Sequence, residues 1–167
     1  MTVSTMFKRV QRWWVLALIL FVLDWSTKQA VEAYLSYGQE IPLLPFFDLT
    51  LRYNTGAAFS FLAQAGGWQR WFFSVIALAV VVGISWRLIK IANGNRWEAL
   101  SLSFILGGAI GNLYDRLVYG HVVDFIQLHW QQSWYFPAFN VADSAITVGV
   151  ILMLLESFFV KKTEGGK

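Results

Sequence analysis

The chain of 167 residues contains no cysteine, and only 14% of its residues are charged. The missing thiols exclude structural disulfides, thiolate metal sites and a cysteine nucleophile. Its two histidines, His121 and His129, do not form the His-Glu-x-x-His pattern of a zinc hydrolase. We therefore expect a protein that binds neither a metal nor another cofactor.

Hydrophobic residues make up 57% of the chain and aromatic residues 17%. A soluble domain usually carries about 25% charged residues, so this composition predicts a membrane protein. The net charge of +3 does not indicate nucleic-acid binding, because the basic residues lie beside the apolar segments. At this length we expect residues 1–167 to form a single integral-membrane domain.

Four apolar segments, near 13–31, 69–86, 99–114 and 141–160, have about the length that a spanning helix needs. The first could also be a secretory signal, but no small-x-small cleavage site follows it, so an uncleaved anchor is favoured. The third is short and rich in glycine. The predicted fold is therefore an all-α membrane protein with four transmembrane helices.

The basic residues predict the orientation of these helices. Nine of the 13 lysines and arginines fall on one side of the predicted spans. They are Lys8, Arg9, Arg12, Arg87, Lys90, Arg96, Lys161, Lys162 and Lys167. The positive-inside rule makes that side cytoplasmic, so both termini are expected inside and segments 32–68 and 115–140 outside.

The two outer segments have the pattern of a small β-rich cap. Alternation over 47–53 predicts a strand, and 121–128 and 134–136 are rich in β-prone residues. Residues 57–64 have helical composition and are expected to form a short interfacial helix. We expect Asp48 to lie in water and His129 at the surface or interface.

Two aspartates lie at the ends of apolar segments, where a charge costs about 2.5–3.5 kcal/mol on insertion scales. Asp124 follows the third segment, and Asp143 begins the fourth. Two carboxylates that can meet form an acid/base pair that shares one proton. This pattern predicts a membrane-embedded aspartyl hydrolase.

Other polar residues fall at helical spacings. Gly108, Asn112 and Arg116 share one helix face, and Asn140 shares a face with Asp143. We place these residues in the set that supports the carboxylates or binds substrate. For Arg116 an equal alternative is a side chain that only extends its charge to the membrane interface. Glycines 107 and 111 are expected to allow close helix packing.

The first segment contains an acid and a base four residues apart, Asp24 and Lys28. This is a favourable order for a helical ion pair, and a neutralised pair is the cheap way to bury charge. We therefore interpret the pair as structural support for the site. Asp115 is also expected to be structural.

Four ordered motifs carry a family resemblance. They are Asn54-Thr55-Gly56-Ala57-Ala58-Phe59-Ser60, Gly107-Gly108-Ala109-Ile110-Gly111-Asn112-Leu113-Tyr114-Asp115-Arg116, Val122-Val123-Asp124-Phe125 and Phe139-Asn140-Val141-Ala142-Asp143-Ser144. In these motifs, and in its four-span layout, the chain resembles the bacterial lipoprotein signal peptidases (signal peptidase II). Trp25 departs from the family pattern, which often has glutamine there.

The resemblance implies an aspartyl endopeptidase of the bacterial cytoplasmic (inner) membrane with its site towards the outer face. It implies that lipid-modified prolipoproteins are cut just before their diacylglyceryl-modified cysteine, among membrane lipids. Because one chain holds a complete site, we expect it to function as a monomer. The matching catalytic pair is Asp124 and Asp143. The matching supporting residues are Asn54, Asn112, Arg116, Asn140, Asp24 and Lys28.

Two other functions fit an intramembrane carboxylate. A proton-coupled transporter relays protons through such groups, but both aspartates lie towards one side and not at the midplane. A membrane scaffold would use the polar faces only to bind neighbouring helices, which leaves the positions of Asp124 and Asp143 unexplained. The peptidase is therefore the favoured reading.

Overall fold

The computed structural model describes residues 3–56, 67–91, 95–131 and 133–164. Its helices are α1 (Val3–Tyr34), α2 (Trp68–Ile91), α3 (Arg96–Val118) and α4 (Val141–Glu164). Its strands are β1 (Glu40–Leu44), β2 (Phe47–Asn54), β3 (Val122–Trp130) and β4 (Trp134–Tyr135). Each of the four predicted apolar segments is thus helical, and each helix extends beyond the predicted bounds.

Three helical segments in the described part of the chain are long and apolar enough to cross a membrane. They are Val10–Tyr34, Trp68–Ile91 and Val141–Phe158. Helix α3 is not among them, because serines, glycines and Asn112 lower its mean hydropathy. It packs against α1, α2 and α4, and Leu106 near its middle is fully buried. Its less apolar sequence therefore suits a helix enclosed by the other three.

Glycines on α3 bring α1 unusually close. A Cβ atom on Gly107 would lie 2.7 Å from the Ala17 carbonyl oxygen of α1, and one on Gly111 would lie 2.5 Å from Asp24 Oδ2. Real Cβ atoms do not approach other atoms so closely, so a side chain at Gly107 would push the α1 backbone away and one at Gly111 would displace the Asp24 carboxylate. The predicted packing role of the two glycines is confirmed.

Gly108 makes the equivalent contact with α4, and its substitution tests the packing. A Cβ atom at this position would overlap the Ala142 carbonyl oxygen. We expect Gly108→Ala to separate α3 from α4 and to lower the free energy of unfolding by about 1–3 kcal/mol. Thermal unfolding in detergent micelles measures the loss. Gly83→Ala on α2 is the control: nothing lies within 4 Å of its Cβ position, so it should not destabilise the protein. Equal stability of the two variants would contradict the prediction.

The strands form one antiparallel sheet in the order β1-β2-β3-β4. Strands β2, β3 and β4 confirm the predictions for 47–53, 121–128 and 134–136. Strand β1 was not predicted, because it contains Pro42. Proline is tolerated here since β1 is an edge strand whose register shifts after Pro42. The predicted interfacial helix at 57–64 lies outside the described residues.

Two expectations for the sheet are wrong. Asp48 and His129 are only 5% and 6% exposed, and Asp48 Oδ1 lies 3.2 Å from His129 Nε2. Asp48 pairs with Gln127 in the β2–β3 ladder, so His129 is its diagonal neighbour on the same face. The two polar groups are buried because each gives the other a partner.

The residues before α4 are tied to the sheet. The Phe139 N–H donates to the Ile126 carbonyl (3.0 Å), and the Ile126 N–H donates back to the Phe139 carbonyl (2.8 Å). This bridge holds Asn140, the next residue, beside the strand that carries Asp124. The chain path therefore brings the start of α4 and the middle of β3 together.

Candidate active site

Asp124 and Asp143 meet through Asn140. Asp124 lies in β3 and is 3% exposed, while Asp143 lies in the first turn of α4. The Asn140 side-chain Nδ2 donates to Asp124 Oδ1 (2.8 Å), and the Asn140 backbone N–H donates to Asp143 Oδ2 (3.2 Å). The two carboxylates that were predicted as a pair thus share one hydrogen-bonding neighbour.

The same asparagine begins α4 with a reciprocal cap. Asn140 Oδ1 accepts a hydrogen bond from the Asp143 N–H (2.9 Å), while Asp143 Oδ2 accepts one from the Asn140 N–H (3.2 Å). This is the capping-box geometry, with an acidic residue three positions after the cap. The Asp143 carboxylate is therefore held at the positive end of the helix dipole, which stabilises its negative charge.

Two further asparagines complete the surroundings of the carboxylates. Asn54, at the end of β2, donates from Nδ2 to Asp124 Oδ2 (3.0 Å). Asn112, on α3, donates from Nδ2 to Asp143 Oδ1 (2.7 Å). Together with the two hydrogen bonds from Asn140, these bonds give each of the four carboxylate oxygens of Asp124 and Asp143 one N–H donor.

Lys28 lies behind Asn112 in a buried cluster of charges. Its Nζ lies 2.7 Å from Asp24 Oδ2 and 2.8 Å from Asp115 Oδ2, and it donates to Asn112 Oδ1 (3.1 Å). Lys28 is 1% exposed. The predicted Asp24–Lys28 pair is therefore part of a triad. The spacing of the residues does not predict that Asp115 joins this triad, because Asp115 lies on another helix.

Asp24 also reaches the start of α4. Its Oδ1 accepts a hydrogen bond from the Ala142 N–H (2.8 Å), which is one of the free donors in the first turn of that helix. Asp24 thus holds the backbone next to Asp143 while its other oxygen faces Lys28. Gly108, also predicted as a supporting residue, borders Ala142 and acts through packing.

Arg116 lies one helical turn after Asn112, as its spacing predicted. Its guanidinium donates to the carbonyl oxygens of Asn112 (3.1 Å) and Gly56 (3.2 Å) and lies 5.8 Å from the centre of the Phe73 ring. These bonds connect α3 to the chain that leaves β2. They place a positive charge at the same end of the bundle as the carboxylates.

Arg70 is a functional candidate that the sequence reasoning missed. From the start of α2 it donates to the carbonyls of Arg116 and Leu117, both at 2.7 Å. It therefore caps the last turn of α3, which carries Arg116. The only available signal was an arginine at the start of an apolar segment, and that position reads equally well as an interfacial residue.

A cavity of about 870 Å³ extends from these polar groups between α2 and α4. Asn54, Asn112, Arg116 and Asp143 lie at its polar end. The rest is mainly apolar and is lined by residues that include Phe73, Ile76, Ala77, Val80, Ile105, Ala109, Ile146 and Val148. Ile76, Val80 and Val148 are 45%, 38% and 40% exposed, so the cavity reaches the outer surface of the helices.

The Asp124 carboxyl is suited to exchange protons near neutral pH. Burial raises its pKa, and the nearby Asp143 charge raises it further, while hydrogen bonds from Asn54 and Asn140 lower it. The resulting pKa is about 7. A carboxyl group with this pKa can hold a proton at rest and release it during a reaction.

Within the described residues, no cluster of three or more histidine, aspartate or glutamate side chains could hold a metal ion.

Comparison with known proteins identifies the family. Residues 16–159 match the family model described as signal peptidase (SPase) II. The chain belongs to the signal peptidase II family. Two relatives named lipoprotein signal peptidase support this assignment. The one from Pseudomonas aeruginosa is 53% identical over 152 residues, which cover 90% of each chain. The one from Cellvibrio japonicus is 49% identical over 156 residues, or 93% of this chain and 91% of the relative.

This signal peptidase II family member also resembles solved structures in its fold. A bacterial membrane enzyme solved by the in meso method at 2.3 Å resolution has a TM-score of 0.79 and 30% identity, over 99% of this chain and 93% of the other. A second, solved at 1.9 Å, has a TM-score of 0.72 and 29% identity, over 93% of both chains. The apolar helices and these neighbours indicate an inner-membrane protein.

Proposed function

We propose that this chain is an aspartic endopeptidase that removes signal peptides from prolipoproteins. It cuts the peptide bond on the N-terminal side of the diacylglyceryl-modified cysteine. The substrate class follows from its family and from relatives named lipoprotein signal peptidase. The catalytic type rests on one observation, that the buried Asp124 and the half-buried Asp143 share Asn140, with Asp143 at the polar end of an apolar cavity.

The chemistry needs one ionised and one protonated carboxyl group. The ionised Asp143 takes a proton from a water molecule, whose oxygen attacks the carbonyl carbon of the scissile bond. Asp124, whose pKa of about 7 lets it hold the shared proton, donates to the carbonyl oxygen as it becomes negative. As the tetrahedral intermediate collapses and the C–N bond breaks, one of its hydroxyl groups returns a proton to Asp124, and the proton on Asp143 passes to the leaving nitrogen. Asp124 is then protonated and Asp143 ionised, as at the start.

The surrounding residues hold this pair in one geometry. Four N–H donors, one on each oxygen, fix the carboxylate planes without neutralising them. Arg116 lines the cavity beside Asp143 and supplies a positive charge that can stabilise the negative charge of the intermediate. Asn54, Asn112 and Asn140 therefore orient the carboxylates, while Asp24 and Gly108 maintain the start of α4.

The proposed enzyme spans the inner membrane four times, with α3 as the enclosed fourth span. Large apolar side chains on the outside of the other helices suit contact with lipid, since Leu18, Val75 and Phe158 are 58%, 66% and 73% exposed. The excess of basic residues on one side supports cytoplasmic termini and a site towards the outer face. One chain supplies both carboxylates, which supports a functional monomer.

Cleavage of a diacylglyceryl-modified prolipoprotein by purified protein in detergent tests the proposal, with a gel shift as the readout. We expect the lipidated precursor to be cut and an unlipidated precursor of the same sequence to remain intact. A folded protein that cuts neither substrate would contradict the proposed function. Proton flux in liposomes would then test the transporter alternative.

The pKa of Asp124 predicts the alkaline limit of this activity. Because the pKa lies above the ordinary value of 3.8, the proton stays bound until about pH 7 and is lost as the pH rises further. We therefore expect kcat/KM to fall above about pH 7, approaching a tenfold loss per pH unit as the acid is deprotonated. Initial rates of cleavage between pH 5 and 9 measure this fall in kcat/KM on the alkaline side of the pH profile. Unchanged activity up to pH 9, with the protein folded, would rule out Asp124 as the acid.

A further inference from the structure

Three asparagine side chains around the carboxylates have their orientation fixed by groups that only donate hydrogen bonds. Asn54 Oδ1 accepts from the Gly56 N–H (3.0 Å), and Asn140 Oδ1 accepts from the Asp143 N–H (2.9 Å). Asn112 Oδ1 accepts from the Lys28 ammonium (3.1 Å). A backbone N–H or an ammonium cannot accept a hydrogen bond, so each amide must turn its oxygen to that group. Each NH2 group is thereby turned to a carboxylate.

The orientation of Asn112 depends on a side chain, unlike that of the other two. Asn140 Nδ2 also lies 3.3 Å from Asn112 Oδ1, but it lies closer to Asp124 Oδ1 (2.8 Å) and to the Val123 carbonyl (3.2 Å). Its two hydrogens cannot serve three acceptors well. The Lys28 ammonium, in contrast, has three hydrogens and three acceptors. Outside the carboxylate pair, Lys28 is therefore the main group that orients Asn112, and it still does so when Asp143 carries a proton.

We propose that Lys28 is a positioning residue for catalysis, which acts on Asp143 by fixing the amide of Asn112. The proposal rests on the proposed function of the Asp124–Asp143 pair. If the amide turned over, Asn112 Oδ1 would face Asp143 Oδ1 across the 2.7 Å contact that its NH2 now makes. Two acceptors repel at that distance, so the carboxylate would turn away from its working position. Lys28 on α1 thus sets the direction of a carboxylate on α4.

A single substitution of Lys28 would have two effects at once: Asn112 would lose the group that orients it, and the buried Asp24 and Asp115 would lose their positively charged partner. The variant Asp24→Asn/Lys28→Met/Asp115→Asn removes all three charges together. Each introduced asparagine still offers an oxygen to the backbone N–H that the aspartate now serves, at Ala142 or Val123. The matched control is Asp115→Asn alone, which keeps the Lys28 ammonium on Asn112 and leaves a neutral ion pair with Asp24.

The test compares kcat, KM and the pH profile for cleavage of a lipidated prolipoprotein. In the neutral triple variant we expect kcat to fall roughly 10- to 100-fold, the effect of a small misplacement of a reacting group, with KM changed less than about twofold. We expect the acid limb of the profile to move to higher pH, because the ionised carboxylate loses a donor and a nearby cation. Asp115→Asn, which keeps the Lys28 ammonium on Asn112, should keep a clearly higher kcat than the triple variant. A folded triple variant with wild-type kcat and pH profile would overturn the proposal.

A measurement on the wild-type protein keeps the proposal testable if the triple variant does not fold. With 15N-labelled asparagine, the side-chain NH2 signals of Asn112 are assigned by their loss in Asn112→Ala. We expect nuclear Overhauser contacts from these protons to the Asp143 side chain, and contacts to the Lys28 side chain instead would overturn the proposal. This readout needs no cleavage. Absence of cleavage by wild type would instead contradict the proposed function.

Discussion

Asp143→Asn and Asp124→Asn should each reduce prolipoprotein cleavage by at least about 1,000-fold, because each removes one partner of the acid/base pair. An amide has nearly the volume of a carboxyl group but cannot exchange a proton at neutral pH. The fold should therefore persist, and the variants should still bind lipidated precursor. Single-turnover cleavage with excess enzyme measures the chemical step, and co-purification with the precursor measures binding.

Glu40→Gln is a matched control for the loss of one carboxylate. Glu40 lies on β1 and pairs with Arg52 at the surface, where an ion pair contributes little to stability. This variant should cleave at close to the wild-type rate. If either aspartate variant kept near-wild-type turnover, the assignment of the catalytic pair would be wrong.

Lys28→Met should cause the largest loss of stability, about 3–5 kcal/mol in the free energy of unfolding. The substitution leaves Asp24 and Asp115 buried together without the cation between them. Removal of one partner from a buried ion cluster costs more than the cluster contributes, because the remaining charges have no solvent. Denaturant or thermal unfolding in detergent micelles measures the loss.

Lys90→Met provides the comparison on the surface. Lys90 lies over the Trp86 ring at 3.7 Å and is exposed, so its removal should cost no more than about 1 kcal/mol. A Lys28→Met protein as stable as Lys90→Met would show that the triad is not charged in the folded state. The two variants together separate the effect of burial from the loss of a lysine.

The sequence was sufficient for features that depend on neighbouring residues. Hydropathy predicted all four helices, although α3 extends beyond its predicted bounds because its polar ends lack an apolar signal. Alternation predicted β2. The Asn140-x-x-Asp143 spacing also contained the capping box, since both partners lie in the same turn. Local spacing was therefore enough to predict contacts between residues within one helical turn.

Contacts between segments that are distant in the chain could not be predicted from the sequence alone. Nothing in the spacing of α3 shows that Asp115 faces Lys28, or that Arg70 reaches the end of that helix. For the same reason, the sequence alone predicts Asp48 in water and His129 at the surface, whereas the two side chains are buried against each other. A charged residue reads as solvated until its partner is known, and here each partner comes from another helix or strand.

The cavity between α2 and α4 also has a consequence for the units in which substrate concentration is expressed. Its apolar lining reaches the outer surface of the helices, so a lipid-anchored substrate can arrive by sideways diffusion within the bilayer. Such a substrate is encountered in two dimensions, and its effective concentration is a mole fraction among lipids. An apparent KM in molar units should therefore rise in proportion to added detergent or lipid, while the value expressed per lipid molecule stays constant.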